Sequence, residues 1–386
     1  MTSPDTNPDT NPSALPGRVE HPIDRPAERL HIAVDAPDAF ARGAARGERL
    51  RATLPGGIAG YDRFFELGGI SPQQARDDAE RALDVVGAFR PQARAEIEGI
   101  AHGAGVDTWR VAALNARTEI LARSSTVPPG ECSTIVRRLA RPDMGEARTF
   151  GIQTWDWHVK LNPFWHTLES RGGAHDFVGI TEHGILAKIG VNSAGLALHF
   201  NILGHRADGV GGIPMHVLAA LVLEEAGSVR EALELIRSAP VASSGSFSLF
   251  DPDEAVLLDL SPDGVFPVDL APEHGTLVRT NHFLTPTPAA QEKSWLYQPD
   301  SGRRYDLIRD RLAASTPPAT PDDLVAFLRS GAGEAPLTCI PDMSLPQGER
   351  WAGLATVILE PAARTARVLD GTPVDADTRP WRRLSA

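Results

Sequence analysis

Cysteine is almost missing from this 386-residue chain, which has only Cys132 and Cys339. Two thiols cannot make a disulfide scaffold, so the fold must rest on a hydrophobic core. Long apolar runs are missing too: none approaches the ~20 residues that cross a bilayer. The opening stretch, Met1 to Pro26, holds Pro, Asp, Asn and Thr but no basic segment leading into an apolar one, so it does not read as a secretory signal. It reads as a disordered polar tail, which we bound at residue 29. Without an export signal the expected compartment is the cytoplasm, where thiols stay reduced. Basic residues are outnumbered 38 to 50, for a net charge of −12. That deficit argues against nucleic acid as a partner and against a polybasic hold on a membrane surface. Several motifs are missing as well. The chain has no HExxH, no CxxC, no GxGxxG opening a helix, no Walker loop and no GxSxG elbow. The pairs His158/His166 and His199/His205 lack helical i,i+4 spacing. The expectation is therefore of no metal and no cofactor.

What is present has two textures. From Ala39 to about Leu121 the pattern is helical. Phe40, Ala44, Leu50 and Leu54 suggest one helix. Pro72 to Phe89 carries Ala75, Ala79, Leu83 and Val86 at helical spacing, and Pro91 starts a helix that Gly103 and Gly105 end. A further helix is expected from Thr108 to Leu121. The segment Arg123 to Glu131 breaks regular structure with Ser-Ser, Pro-Pro and Gly. Beyond it, strand-like runs appear at Ser133–Arg138, Arg148–Thr154, Phe177–Thr181, Ile185–Val191 and Leu196–Ile202. After helices at about Pro214–Ala226 and Ser228–Ser238, strands return at Ser244–Phe250, Ala255–Asp259, Val265–Asp269 and Thr276–Thr280. Two helices, Ser301–Ala314 with Ser301 as cap and Pro321–Ser330, precede a hairpin at Thr356–Glu360 and Thr365–Leu369. This order suits a layered α+β domain with two stacked sheets and helices outside.

Cys132 stands where the textures meet. In Pro128-Pro129-Gly130-Glu131-Cys132-Ser133-Thr134-Ile135-Val136 a turn runs into a β-branched strand, with the thiol at the junction. Were the preceding peptide bond cut, the new α-amine, with a pKa of about 8, would be available as the thiol's base. The competing reading is a buried small hydrophobe, as most free cysteines are. Cys339 reads as buried and structural.

The neighbouring residues carry a resemblance. Asn115-Ala116-Arg117-Thr118-Glu119, Glu131-Cys132-Ser133-Thr134 and Gln153-Thr154-Trp155-Asp156-Trp157 resemble the processing region of the isopenicillin N acyltransferase-like family, which includes the β-alanyl-dopamine hydrolases. Lys188 to Gly195, Ile213-Pro214-Met215-His216, Thr280-Asn281-His282 and Pro299-Asp300-Ser301 with Arg304 resemble later family blocks. The resemblance implies an autoproteolytic N-terminal-nucleophile hydrolase or acyltransferase, built as a four-layer αββα sandwich with a helical N-terminal segment. It implies cleavage between Glu131 and Cys132, giving a helical small fragment (residues 30–131) and a catalytic fragment (residues 132–386) packed as one domain. It makes Asp156 the acidic partner of the Cys132 amine, Ser244 a serine involved in processing, and Arg304 a buried arginine near the site. Asn281 is the best candidate oxyanion donor. Plain alternatives stand beside these: a turn aspartate, a strand serine, a solvated helix arginine with Arg303 adjacent, and a turn amide. Arg117 and Glu119 are expected as an ion pair holding the small fragment near Cys132, or as a helix-surface pair.

The expected substrate is a small N-acyl amine, N-acyl amino acid or acyl thioester such as an acyl-CoA. The expected partners are that small molecule and the two cleaved fragments for each other, with a homo-oligomer left open. Glu131 departs from the Asp-Gly-Cys motif of the family's best-known acyltransferase, since Gly130 lies one position early. An uncleaved, non-catalytic ligand-binding relative is therefore the alternative. A metal-dependent amidase using the scattered histidines is a third reading.

Overall fold

The computed structural model describes residues 23, 25–124, 132–139, 148–268, 275–297, 299–331 and 333–386. After a first strand, β1 (His31–Asp35), come the helices α1 (Ala39–Leu50), α2 (Leu54–Leu67), α3 (Pro72–Phe89), α4 (Pro91–Ala104), α5 (Thr108–Asn115) and α6 (Arg117–Leu121). Local chemistry sets their ends. The helix expected to run through Leu54 stops at Leu50, and Pro55 opens α2 instead, in the first turn where its missing N–H costs nothing. A reciprocal capping box between Ser71 and Gln74 starts α3. Gly105, at φ 73, closes α4 in the left-handed conformation that glycine adopts without strain. α1 and α4 pack backbone to backbone: a Cβ on Gly43 would lie 2.2 Å from Glu96 O. The single helix expected from Thr108 to Leu121 is divided at Ala116. There Asn115 turns its side chain to Gly184 O (2.9 Å) and Leu186 N (3.0 Å), tying the helices to a downstream loop.

The strands β2 (Cys132–Leu139), β3 (Arg148–His158), β4 (Trp165–Arg171), β5 (Phe177–Glu182), β6 (Ile189–Asn192) and β7 (Ala197–Ile202) follow. Then come α7 (Met215–Glu225), α8 (Val229–Ser238) and β8 (Gly245–Phe250), β9 (Ala255–Ser261), β10 (Gly264–Pro267) and β11 (Thr276–Arg279). The chain continues with α9 (Pro286–Ala289), α10 (Ser294–Tyr297), α11 (Asp300–Ala314) and α12 (Asp323–Phe327), and ends with β12 (Trp351–Glu360), β13 (Thr365–Leu369) and β14 (Trp381–Ser385). Ser228 caps α8 as expected, accepting from Glu231 N.

Two sheets form. One has the order β1-β4-β5-β6-β7-β8-β9-β10, the other β11-β2-β3-β12-β13-β14. They stack face to face, β2 and β3 against β7, β12 against β6, and β13 against β5. α7 and α8 cover the outside of the first sheet, α11 and α12 the outside of the second. The architecture is thus an αββα sandwich of the α+β class. One large core fills the space between the sheets and under the N-terminal helices. A smaller core, with Ile135, Ile152 and Ile358, lies under α11 and α12. Each buried side chain of this size stabilises by roughly 1.5–3 kcal/mol.

Three strands escape the sequence pattern. β4 buries His166, Thr167 and Ser170, so its apolar residues do not alternate; β1 and β14 are short edge strands. The strand expected at Ile185–Val191 begins only at Ile189. Arg46 reaches from α1 to Ile185 O (2.7 Å) and Leu186 O (3.0 Å), holding that stretch as a buried loop. Ser301 is not a cap. α11 starts at Asp300, and Ser301 Oγ instead accepts from Asn281 N at 2.7 Å. The segment assigned to a tail shortens, because Arg25 and Arg29 both bind Asp370, at 2.6 and 3.0 Å. Arg29 also donates to Asn162 O at 2.6 Å. Further ion pairs link the residues before and after Cys132: Arg42 with Glu224 (2.5 Å), Arg90 with Glu225 (2.9 Å) and Arg117 with Glu182 (2.6 Å).

Candidate active site

Strand alternation decides what surrounds Cys132. Thr134 turns toward β7, where its Oγ1 donates to Asn201 Oδ1 at 2.8 Å. Ser133 and Ile135 turn the other way, Ser133 to Arg304 of α11 and Ile135 into the core beneath that helix. Cys132, at the end of the strand, is 3% exposed. Its backbone is held on both sides. The nitrogen donates to Asn281 Oδ1 at 2.8 Å; the carbonyl accepts from Asn201 Nδ2 and Arg304 Nη1, each at 3.1 Å.

Arg304 organises one flank. It is fully buried, and its guanidinium donates to Asp300 Oδ2 (2.7 Å), Ser133 Oγ (3.0 Å) and Asn281 Oδ1 (3.1 Å) as well as to the Cys132 carbonyl. Adjacent Arg303 is exposed. Two N–H donors converge on the Asn281 oxygen, and one N–H of its Nδ2 donates to Ile202 O at 2.9 Å. Asn281 thus faces the nucleophile's nitrogen as an acceptor and carries a second amide N–H beyond the one given to Ile202.

A second buried cluster lies behind the tryptophans of β3. Trp155 is the register partner of Cys132, and Lys188 Nζ sits 4.8 Å from the centre of its ring. Lys188 donates to Glu182 Oε1 at 3.0 Å and lies 3.3 Å from His216 Nε2. Glu182 also receives Arg117 (2.6 Å) and the Tyr61 hydroxyl; Tyr61 in turn accepts from Trp157 Nε1 at 2.9 Å. Arg117 lies 4.1 Å over Trp157. The expected Arg117–Glu119 pair is thus replaced. Arg117 takes Glu182, while Glu119 Oε1 accepts from Met215 N (2.9 Å) and Ser243 Oγ (2.6 Å). Both side chains are buried, so neither is a helix-surface group.

Charges shape the site's proton affinities. Burial pushes the Cys132 thiol up to about 12, and the Asp156 carboxylate adds to that. Lys188, the Asp156 backbone N–H and Arg304 pull the other way. Asp156, next to Trp155 in β3, is itself buried. Burial lowers Lys188 to about 8, although Glu182 supports its charge. Burial raises Glu182, but Arg117 and Lys188 outweigh it and hold the carboxylate at about 2. Ser244 immediately precedes β8 and donates to Asp208 Oδ1 at 2.6 Å; burial raises that aspartate to about 6.

The structure gathers Cys132, Asn281 and Arg304 directly and places Asp156 at the sulfur's electrostatic boundary. Ser244 joins a separate group with Asp208. Glu131, the expected cleavage partner, lies outside the described residues, as does the Pro128-Pro129-Gly130 turn. Cys339 is buried, and its carbonyl accepts from Gly353 N at 2.9 Å. Sequence reasoning assigned no role to Asn201, Glu182, Lys188 or Tyr61. A signal was available: the chain has three lysines, Lys160, Lys188 and Lys293, and Lys188 interrupts an apolar run. Among the described residues no three His, Cys, Asp or Glu side chains gather closely enough to hold a metal ion. No helix among them is long and apolar enough to cross a membrane.

The family described as acyl-coenzyme A:6-aminopenicillanic acid acyl-transferase matches residues 144–374. The 40 kDa form of acyl-coenzyme A:6-aminopenicillanic-acid-acyltransferase from Emericella nidulans is 30% identical over 226 residues. That match covers 58% of this chain and 60% of the relative, so the chain spans well under two thirds of the relative's length. Among solved structures, the Caenorhabditis elegans ortholog of N-acylethanolamine-hydrolyzing acid amidase aligns with a TM-score of 0.42 at 12% identity, over 66% of this chain and 100% of its own. Penicillin V acylase from Agrobacterium tumefaciens aligns with a TM-score of 0.40 at 13% identity, over 66% of this chain and 86% of its own. The family match starts downstream of Cys132 and takes in Asp156, Ser244, Asn281 and Arg304. By that match the chain belongs to the acyl-coenzyme A:6-aminopenicillanic acid acyl-transferase family.

Proposed function

We propose that this protein is an autoproteolytic cysteine amidohydrolase or acyltransferase, acting on a small N-acyl amine, N-acyl amino acid or acyl thioester through an acyl-Cys132 intermediate. The observation that carries the reading is the grip on the Cys132 nitrogen, whose 2.8 Å bond to Asn281 Oδ1 suits an amide N–H and an α-amine equally.

In the first stage the Cys132 sulfur attacks the Glu131 carbonyl carbon. The C–N bond breaks, the thiol proton passes to the departing nitrogen, and a thioester joins Glu131 to the sulfur. Water hydrolyses the thioester, leaving a carboxylate on Glu131 and a free thiol and α-amine on Cys132. In the second stage the amine takes the thiol proton, which counters the burial that keeps the sulfur protonated in the intact chain. The thiolate attacks the substrate acyl carbon and the ammonium returns a proton to the leaving group. Water or an amine then resolves the thioester, giving hydrolysis or transfer. Asp156 favours the ammonium form of the Cys132 amine. Asn281 and Arg304 hold the reacting backbone, and Ser244, which donates to Asp208, serves the processing step. The ion pairs linking the residues on either side of Cys132 keep the two fragments together as one domain.

Denaturing gels and intact mass test the first stage. The expected product is a fragment whose first residue is Cys132, absent from Cys132→Ala and present in Cys339→Ala. A fully active preparation made only of intact chain overturns the reading. The rival, an uncleaved ligand-binding relative, draws on Glu131 and on the thiol held at about 12; a folded protein that stays whole and inert toward acyl amides and acyl thioesters selects it.

A further inference from the structure

Asn281 stands on the stretch 280–285 between β11 and α9, which is neither helix nor strand. Such a stretch does not aim a side chain by itself, so what fixes the carboxamide comes from the elements around it. Ser301 Oγ holds the Asn281 nitrogen at 2.7 Å, and Glu292 Oε1 accepts from Phe283 N at 2.8 Å. A further side chain, Asp259 of β9, reaches the chain on both sides of Asn281. It is fully buried. Its Oδ1 lies 2.5 Å from Nη2 of Arg279, also fully buried, two residues ahead of Asn281. Its Oδ2 accepts from Leu284 N, Thr285 N and Thr285 Oγ1, each at 2.8 Å, three and four residues behind.

Asp259 also sits level with the nucleophile's strand. It is the register partner of Ser246, and Ser246 of Asn201, in the first sheet. Arg279 is the register partner of Thr134 in the second. Thr134 and Asn201 join across the sandwich beside Cys132, and Asn201 holds the Cys132 carbonyl. The Asp259–Arg279 pair therefore spans the two sheets at the level where both backbone groups of Cys132 are gripped. Cohesion alone does not require charge there, since apolar residues of similar volume often replace a buried ion pair without loss. What an apolar residue cannot do is accept from the three donors behind Asn281.

We infer that Asp259 is a positioning residue of the candidate site, gripping Arg279 on one side of Asn281 and Leu284 and Thr285 on the other so that the Asn281 oxygen is aimed at the Cys132 nitrogen. It acts through Asn281, not on the reacting atoms. The inference deepens the proposed function and rests on it for the reaction, while the aim of Asn281 is a property of the chain whether or not it cleaves.

The double variant Asp259→Leu/Arg279→Met tests it by removing both charges together while keeping side-chain bulk. Leu284 and Thr285 are half-buried, so water can reach their released donors, and the urea midpoint is expected to stay near that of the wild type. Where the wild type cleaves, the folded double variant should cleave at least about tenfold more slowly. Thr285→Val, which removes one donor and no charge, should slow cleavage less and in the same direction. A folded double variant that cleaves at the wild-type rate overturns the inference and leaves the autoproteolytic reading standing. Where the wild type stays intact, that reading fails and the backbone amide proton of Cys132 decides instead. Labelling cysteine alone with the heavy nitrogen isotope gives one magnetic-resonance signal for Cys132 and one for Cys339. The Cys132 proton should move upfield in the double variant as its bond to Asn281 lengthens, with the Cys339 signal unmoved; an unmoved Cys132 signal overturns the inference. Should the double variant not fold, Thr285→Val is read by the same two measures, and a wild-type result again overturns it.

Discussion

Cys132 lies between two buried cations built on different plans. Arg304 meets the backbone: one planar guanidinium touches the Cys132 carbonyl, Ser133, Asn281 and Asp300. Lys188 acts across Trp155 and reaches the sulfur only through space. Arginine keeps its charge at any ordinary pH and fixes geometry through several donors. Lysine is a point charge, and here it sits at about 8, close to where enzymes work. Geometry around the nucleophile is thus independent of pH, while the field on the sulfur is adjustable.

The sharpest way to break this contrast is Arg304→Met. It releases both the carbonyl and the Asn281 oxygen, and misplacement of a reacting group costs about 100-fold in rate. Removing one partner of a buried pair destabilises by 3–5 kcal/mol, and because Asp300 is partly exposed the lower end, about 3 kcal/mol, is expected. Single-turnover rates and urea midpoints measure the two effects, and an unchanged rate would remove Arg304 from the site.

Lys188→Met touches none of the backbone contacts of Cys132 and should act on the sulfur through the field, while also leaving buried Glu182 without one of its two cations. The pH midpoint for alkylation of Cys132 by iodoacetamide should move upward by about one pH unit; Lys188→Arg should restore most of it. The same variant carries a stability signature. Folding lowers Lys188 from 10.5 to about 8, so between those values the unfolded chain holds more protons and stability rises with pH. Comparing urea midpoints at about pH 7 and about pH 10 should show less of that rise in Lys188→Met. An identical slope in both proteins would mean that Lys188 does not titrate in this window.

The smallest effect is expected away from both clusters. Arg94 pairs with Glu98 one helical turn on, both more than a third exposed. Arg94→Ala should change stability by no more than about 0.5 kcal/mol and leave activity intact. A larger change would mean that the contrast between buried and surface cations is overdrawn.

How far the sequence foretold this depends on which force shapes each element. The helix from Pro72 to Phe89 was legible because proline, cap and apolar spacing agree, and its ends match the structure. β4 was not, because it buries His166, Thr167 and Ser170 along with its apolar residues, erasing the alternation. The position of Cys132 as the first residue of a strand was legible from the β-branched run that follows it. Asn281 was found, but its hold on the Cys132 nitrogen was not, since the direction of its amide is set by Arg304 and Ile202, which are distant in the chain. Arg117 was found but given the wrong partner, because Glu182 approaches only once β5 is in place.

The ion pairs that join the residues on either side of Cys132 have a shared polarity. Arg25, Arg29, Arg42, Arg90 and Arg117 precede it, and their carboxylates, on Asp370, Glu224, Glu225 and Glu182, all follow it. The looser pair of Arg382 with Glu28, at 3.7 Å, runs the other way. The seam is therefore directional: cations line the side that precedes Cys132 and, the Glu28 pair apart, carboxylates line the side that follows it.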